Sequence, residues 1–276
     1  MGKEFKMENS RQLGEQQYAD AANFNARIYL NSKFKTNPYP WPAWVFDQIE
    51  KQDYCRVLEL GCGTGLLWQV NTKRIPAFWE ILLSDYSQGM LADTQKNLSN
   101  IDRKFSYQVI NVEDIGLPDH SFDILIANNM LYHISNREKA FQEIKRVLKE
   151  SGVFYAATAS ENNTYELRLL LREFKKNQPS SAPAPSVVSN FSLENGADQL
   201  QKFFPNLEMR RYDDSLVITE ATAIVNYFLS LNDIYEGKII LPEDQIEQFR
   251  NFISKKIADN GNISVAKSSG IFICKN

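Results

Sequence analysis

The chain has 276 residues, 43% hydrophobic and 24% charged, and its 31 Lys and Arg against 34 Asp and Glu leave a formal charge of −3. Such a composition is globular; it excludes disordered, collagen-like and coiled-coil classes, and it lacks the net positive field that non-specific nucleic-acid binding uses. No stretch approaches the roughly 18 consecutive apolar residues of a membrane span, and residues 1–17 hold no apolar signal-peptide core, so a cytoplasmic protein with no membrane span is expected. Three cysteines (Cys55, Cys62, Cys274) and two histidines (His120, His133) show no metal-ligand spacing, and no metal is expected.

Residues 1–53 mix polar helix-like segments with aromatics, and Pro38, Pro40 and Pro42 predict an extended connection between Asn37 and Ala43. This stretch reads as a helical, aromatic appendage preceding a domain over 54–276. Arg56 to Leu60 is a short apolar run ending in glycines, as a buried strand should be, and a helical pattern follows from Leu66 to about Lys73. Ile81 to Asp85 is a second strand, with Ser87 placed to cap a helix through about Leu98. Phe105 to Asn111 and Phe122 to Ala127 are further strands, and Arg137 to Lys149 is an amphipathic helix that Gly152 should stop. Val153 to Thr158 is the fifth strand. Regular alternation of strand and helix over residues 55–158 predicts an α/β fold with a parallel sheet covered on both faces.

Beyond Ala159 a charged helical stretch (Thr164 to Lys176) leads into the Pro- and Ser-rich residues 179–185, and the region around 160–205 reads as a cap or lid insertion. Strand-like segments return at Leu207 to Tyr212, Leu216 to Thr219 and Ile271 to Cys274, with helical patterns at Glu220 to Leu231 and Glu243 to Asn260.

Chemistry concentrates at Glu59-Leu-Gly-Cys-Gly-Thr-Gly65, between the first strand and its helix, where glycines let backbone approach a ligand closely. The dinucleotide pattern fits poorly, because the sixth position from Gly61 is Leu66, and no Gly-Lys-Ser/Thr makes a P-loop. A carboxylate at Glu59 would repel a pyrophosphate and attract a cation. Asp85 ends the second strand 24 residues after Gly61, where an acid can accept hydrogen bonds from both ribose hydroxyls; the lesser alternative is a cap of the next helix. Asn111-Val-Glu-Asp114 ends the third strand, where an amide or carboxylate can meet an adenine amino group. Adenine, unphosphorylated ribose and a cation together describe S-adenosylmethionine.

These residues carry a resemblance. Val57-Leu-Glu-Leu-Gly-Cys-Gly-Thr-Gly65, the acid of Leu83-Ser-Asp-Tyr-Ser87, the stretch Asn111 to Asp123 and the passage Ile144 to Gly152 are similar to class I S-adenosylmethionine-dependent methyltransferases, nearest to the small-molecule branch that includes ubiquinone and menaquinone biosynthesis enzymes. The resemblance covers residues 55–158 and implies a Rossmann-like, seven-stranded, mostly parallel sheet with a reversed last strand. It implies that Glu59, Gly61, Cys62 and Gly63 line the methionine part, that Asp85 holds the ribose, and that Tyr86 flanks the adenine. Asn111, Val112 and Glu113 would surround the adenine edge; Asn128 and Asn129 would lie near the sulfonium and the substrate. Three positions depart from the pattern: Asn111 stands for a common aspartate, Gly116 for a common proline, and Glu150-Ser151 for the usual Pro-Gly.

No general base announces itself. His133 has the right chemistry but fits a structural role as well, and Tyr18 and Tyr29 are candidates to touch the sulfonium if an N-terminal helix closes over it. Glu143 and Arg146 read as solvated or paired surface charges, and Arg168, Arg172, Lys175 and Lys176 as a solvated helix face. The expected activity is in-line methyl transfer from S-adenosylmethionine, yielding S-adenosylhomocysteine, to an O, N or C atom of a small molecule. An RNA or protein methyltransferase is the alternative, but Asn128-Asn-Met-Leu131 replaces the Asn-Pro-Pro-Tyr-type tetrad suited to planar amines. A third reading is a non-catalytic module that only binds S-adenosylmethionine.

Overall fold

The computed structural model describes residues 21–50, 52–176, 186–231 and 239–276. Among the described residues seven strands form one sheet: β1 (Tyr54–Leu60), β2 (Phe78–Asp85), β3 (Phe105–Val109), β4 (Phe122–Asn128), β5 (Leu148–Ala159), β6 (Asn206–Ile218) and β7 (Ile263–Lys275). Their order is β3-β2-β1-β4-β5-β7-β6. The pairs β1/β2, β1/β4, β2/β3 and β4/β5 are parallel, and β7 runs antiparallel to β5. The mostly parallel α/β fold with a reversed last strand is therefore present. Strand order reverses on either side of the β1/β4 pair, and crevices at such switch points, beyond the carboxyl ends of the strands, are where open α/β sheets bind ligands.

The central strands are apolar on both faces because both are covered. Leu58, Leu60, Leu125 and Ala127 enter one core with Phe141, Ile144 and Phe154; Val57, Ile124 and Ile126 enter the other with Phe46, Trp68 and Ile81. The two-residue alternation of a strand separates these sets.

The chain divides into two compact units, with boundaries inside β6 and β7. The sheet unit comprises residues 39–161, 188–212 and 269–276. Residues 39–53 belong to it because Val45, Phe46 and Ile49 pack with Val57 and Trp68, so its start is at Tyr39 rather than at residue 54. Within the expected insertion around 160–205, residues 188–205 also belong to it, since Phe191, Leu193, Leu200 and Phe204 lie in the first core.

Its helices are α2 (Trp41–Gln48), α3 (Leu66–Val70), α4 (Gln88–Leu98), α5 (Arg137–Val147) and α7 (Gly196–Leu200). The expected extended connection is corrected at α2: Pro40 is its N-cap and Pro42 sits in its first turn, where a missing N–H costs no helical hydrogen bond. Ser87 caps α4 as expected, accepting from the Met90 N–H at 3.3 Å. Helix α5 ends at Val147, not at Lys149, and Gly152 does not stop it. Gly152 lies within β5, where a Cβ would come 2.8 Å from the Leu148 side chain. Gly116 adopts φ +65, which a proline ring cannot reach, so the departure from the common proline has a backbone cause.

Of the described residues, the other unit takes in 21–38, 162–176, 186–187, 213–231 and 239–268. Its helices α1 (Ala21–Lys33), α6 (Tyr165–Phe174), α8 (Ala221–Leu229) and α9 (Ile246–Asn260) share a core of Leu30, Leu167, Ile224, Phe228, Phe249 and Ile253. The segments expected as separate strands at 207–212 and 216–219 are one strand, β6. No helix among the described residues is long and apolar enough to cross a membrane.

Candidate functional site

The glycine turn follows β1 at the switch point. Gly61, Gly63 and Gly65 all have positive φ, at +68°, +58° and +76°. Gly61 is needed twice over, because a Cβ there would also come 2.8 Å from the Cβ of Met130, which follows β4. Cys62 N–H donates to the Ser84 carbonyl at 2.9 Å, and the Thr94 hydroxyl donates to the Gly63 carbonyl, so β2 and α4 hold the turn in shape. The Cys62 thiol is buried, and burial drives its pKa well above the ordinary value; it is a small packing residue, not a nucleophile.

Glu59 is only 2% exposed. Its Oε2 accepts the Trp68 indole N–H at 2.6 Å, while Oε1 has no hydrogen-bond partner among the described residues. Burial, with a smaller push from the Asp85 charge, raises the Glu59 carboxyl to about 8. Asp85 Oδ2 accepts from Gly63 N–H and Oδ1 from Ser87 N–H, each at 3.0 Å. Burial lifts its pKa as well, against these backbone donors, which favour the charged form. Asp85 thus braces the glycine turn and the start of α4, and each oxygen keeps lone-pair capacity for a ligand hydroxyl. Neither acid has a Lys or Arg partner among the described residues.

Past β3, the Asn111 side-chain oxygen accepts from Glu113 N–H at 3.0 Å, and its carbonyl from Asp114 N–H at 2.9 Å, closing a tight turn. An amide oxygen serves this turn as well as an aspartate would. Val112 packs into the core, and Glu113 Oε1 accepts from Asn136 N–H at 3.0 Å, at the cap of α5. The Glu113 carboxylate therefore already has a structural partner. Tyr86 is exposed beside Asp85.

Beyond β4, Asn128 and Asn129 are half-buried, and Asn129 has φ +58, a strained conformation for a side-chain-bearing residue. Asn128 Oδ1 accepts from the Trp41 indole at 3.3 Å and from Asn129 Nδ2 at 3.2 Å. Leu60 pairs with Ala127, so Gly61 and Asn128 leave adjacent strands side by side. His133 is half-buried in a single 3-10 turn, Leu131–His133, with its ring 4.5 Å from that of Tyr132.

Tyr29 lies on α1 in the other unit, where its hydroxyl donates to Glu220 at 3.1 Å and accepts from Lys33 at 2.6 Å. Tyr18 lies outside the described residues. Of the two alternatives for Glu143 and Arg146, solvated or paired, the structure has them paired, with Asp119 completing the cluster. No group of three or more His, Cys, Asp or Glu among the described residues is placed to hold a metal.

The sequence reading missed Trp68, Trp41, Thr94 and Met130. For Trp68 a signal existed: an acid inside a buried strand needs a donor, and an indole on the next helix is a ready one. Trp41 reaches Asn128, and Met130 the glycine turn, through space, with no local pattern to mark them.

Residues 58–156 match a family model described as a methyltransferase domain. A ubiquinone/menaquinone biosynthesis C-methyltransferase of Hydrogenovibrio crunogenus is 34% identical over 98 residues, covering 35% of this chain and 39% of that protein. Matches to relatives of the same description in other organisms reach 53% of the relative, so the chain spans about half or less of their length. Among solved structures, the YcgJ protein of Bacillus subtilis aligns with a TM-score of 0.54 at 19% identity, covering 85% of this chain and 97% of that one. An N-methyltransferase of Haemonchus contortus, solved with phosphomonomethylethanolamine and S-adenosylhomocysteine, aligns with a TM-score of 0.50 at 16% identity over 85% of this chain and 52% of its own.

Proposed function

We propose, from the premise that residues 58–156 are a methyltransferase domain of the class I S-adenosylmethionine-dependent family, that this chain transfers a methyl group from S-adenosylmethionine to a small molecule. The observation that carries this reading is the pair of acids, buried Glu59 and half-buried Asp85, set around a glycine turn at the switch point with no Lys or Arg partner among the described residues. A buried carboxylate without a partner is costly, and a bound cation removes that cost. The turn presents backbone without side chains, Glu59 keeps one oxygen open, and Asp85 can accept ribose hydroxyls, so these residues fit S-adenosylmethionine.

When bound, S-adenosylmethionine supplies a methyl group already activated by its positive sulfur. The chain has the remaining work. Glu59 balances the cation, Asp85 and Gly63 fix the nucleoside, Asn111 to Glu113 border the adenine edge, and Asn128 and Asn129 face the reacting end. Aligning an attacking atom about 3 Å from the methyl carbon supplies much of the rate, so a dedicated base is optional; His133 is the candidate in the sheet unit. The relatives' description favours a carbon acceptor in a small molecule. The slightly acidic chain and the sequence Asn128-Asn-Met-Leu131 count against RNA and protein amines.

The test is to incubate the protein with methyl-labelled S-adenosylmethionine and a host extract separated into small-molecule, lipid, RNA and protein pools, with Asp85→Ala as control. Label in the small-molecule or lipid pool that the variant loses is expected. Label in RNA or protein overturns the acceptor class, and tight cofactor binding with no label in any pool leaves a non-catalytic module.

A further inference from the structure

Asn128 stands at the carboxyl end of β4 with its amide turned in a defined sense. An indole N–H can only donate, so the atom of Asn128 that meets Trp41 Nε1 must be the oxygen. The Asn129 amide donates to the same oxygen. Two donors on Oδ1 leave the Nδ2 amine on the other side, and that amine has no partner among the described residues. No buried side-chain nitrogen or oxygen among those residues lacks a partner, so Nδ2 opens to solvent.

Trp41 is itself held firmly. It stacks on Trp44 with ring centroids 5.3 Å apart and 22° between planes, and meets the edge of Tyr212 at 5.3 Å and 74°. Tyr212 is buried, and its hydroxyl donates to the Tyr39 carbonyl at 2.5 Å. Pro40 and Pro42 begin the helix that carries Trp41, limiting backbone freedom there. The strained φ of Asn129 is secured by its N–H, which donates to the Ala157 carbonyl at 3.0 Å.

We infer that Trp41 is a positioning residue that locks the Asn128 amide with its N–H donors outward, and that these donors bind an oxygen of the methyl acceptor. The inference rests on the methyl-transfer reading and narrows its acceptor. A donor at this place suits a molecule whose carbonyl, enolate or phenolate oxygen adjoins or is the methylated atom. It suits a neutral amine poorly, because an N–H donated to the attacking lone pair would tie up the electrons that must reach the methyl carbon.

Asn128→Asp tests this, because the two residues have the same shape. The aspartate keeps an oxygen for Trp41 and Asn129 but offers oxygen where Asn128 offers N–H, whereas Trp41→Phe removes the indole donor and lets the amide turn over. Transfer is followed to the small-molecule fraction that wild type labels, with S-adenosylhomocysteine affinity measured by calorimetry. In Asn128→Asp, kcat/KM for that fraction should fall at least about thirtyfold and in Trp41→Phe about three- to tenfold, both with S-adenosylhomocysteine affinity within about twofold of wild type. A merely structural pair gives the opposite order, a neutral Asn128→Asp and a damaging Trp41→Phe, and overturns the inference. Loss of S-adenosylhomocysteine affinity in Asn128→Asp also overturns it, by assigning the donor to the cofactor. If wild type binds S-adenosylhomocysteine but labels no small-molecule fraction, the methyl-transfer reading fails and the inference fails with it; a labelled fraction with both variants unchanged defeats the inference alone.

Discussion

Each unit of this protein buries acid, and each treats it differently. In the helical unit Asp214 Oδ1 accepts from Thr36, Asn37 and Ser215 N–H groups, and Oδ2 lies 3.1 Å from Lys267 Nζ, with the two side chains only 2% and 13% exposed. There burial outweighs the carboxylate and draws the Lys267 ammonium below its ordinary value. In the sheet unit buried Glu59 meets an indole and half-buried Asp85 meets backbone amides, and no cation among the described residues answers either. A buried acid whose counter-charge belongs to the same chain is part of the scaffold. One whose counter-charge is absent from the chain is prepared for a ligand, and the folded protein carries the energetic cost until that ligand arrives.

The contrast breaks first at Asp214. Removing it leaves Lys267 buried and alone, so Asp214→Ala should lose about 3–5 kcal/mol in chemical denaturation. If instead it costs under about 1 kcal/mol, the pairing of Asp214 is not what separates the two acids. Next comes the turn itself: Gly61→Ala forces a Cβ toward Met130 at positive φ and should cost about 1–3 kcal/mol with loss of measurable S-adenosylmethionine binding. Glu59→Gln keeps shape and should leave stability near wild type, while weakening S-adenosylmethionine about tenfold more than S-adenosylhomocysteine, the uncharged-sulfur product. Equal weakening of both ligands would remove Glu59 from charge recognition.

Proton linkage sharpens the point. The folded Glu59 carboxyl binds its proton up to about 8, whereas the unfolded chain gives it up near 4.5. Its contribution to stability is therefore fully present below about 4.5 and is lost as pH rises through about 8. Melting temperature of the ligand-free protein should decline across that window, and the decline should be smaller in Glu59→Gln. Because the ligand cation needs the ionised acid, the preference for S-adenosylmethionine over S-adenosylhomocysteine should grow over the same interval, by at most about tenfold per pH unit. At Gly116, which has positive φ but open space around its Cβ position, Gly116→Ala should cost only about 1–2 kcal/mol in chemical denaturation.

Legibility followed the range of the interactions. The strands of the sheet, the cap at Ser87 and the acids at strand ends were visible because alternation, caps and glycine turns are written within a few neighbouring residues. The break at Asn37 to Ala43 was misread because proline breaks a helix interior yet begins a helix well, and local sequence does not distinguish the two. Gly152 was misread as a helix stop because its requirement is space beside Leu148, not a turn. Residues 188–205 looked like insertion because Phe191, Leu193, Leu200 and Phe204 have no periodic pattern; only their shared core reveals their place.

The sequence by itself determined the α/β class, the glycine turn, and the acids Glu59 and Asp85, since each depends on backbone preference and on residues a few places apart. The tertiary structure decided what those groups do to one another. It put Trp68 on Glu59 across nine positions, Met130 over Gly61, and the Trp41 indole on an amide 87 residues away. Burial and hydrogen-bond direction set the charge of an acid and the facing of an amide, and both arise only when distant segments close around the same atoms.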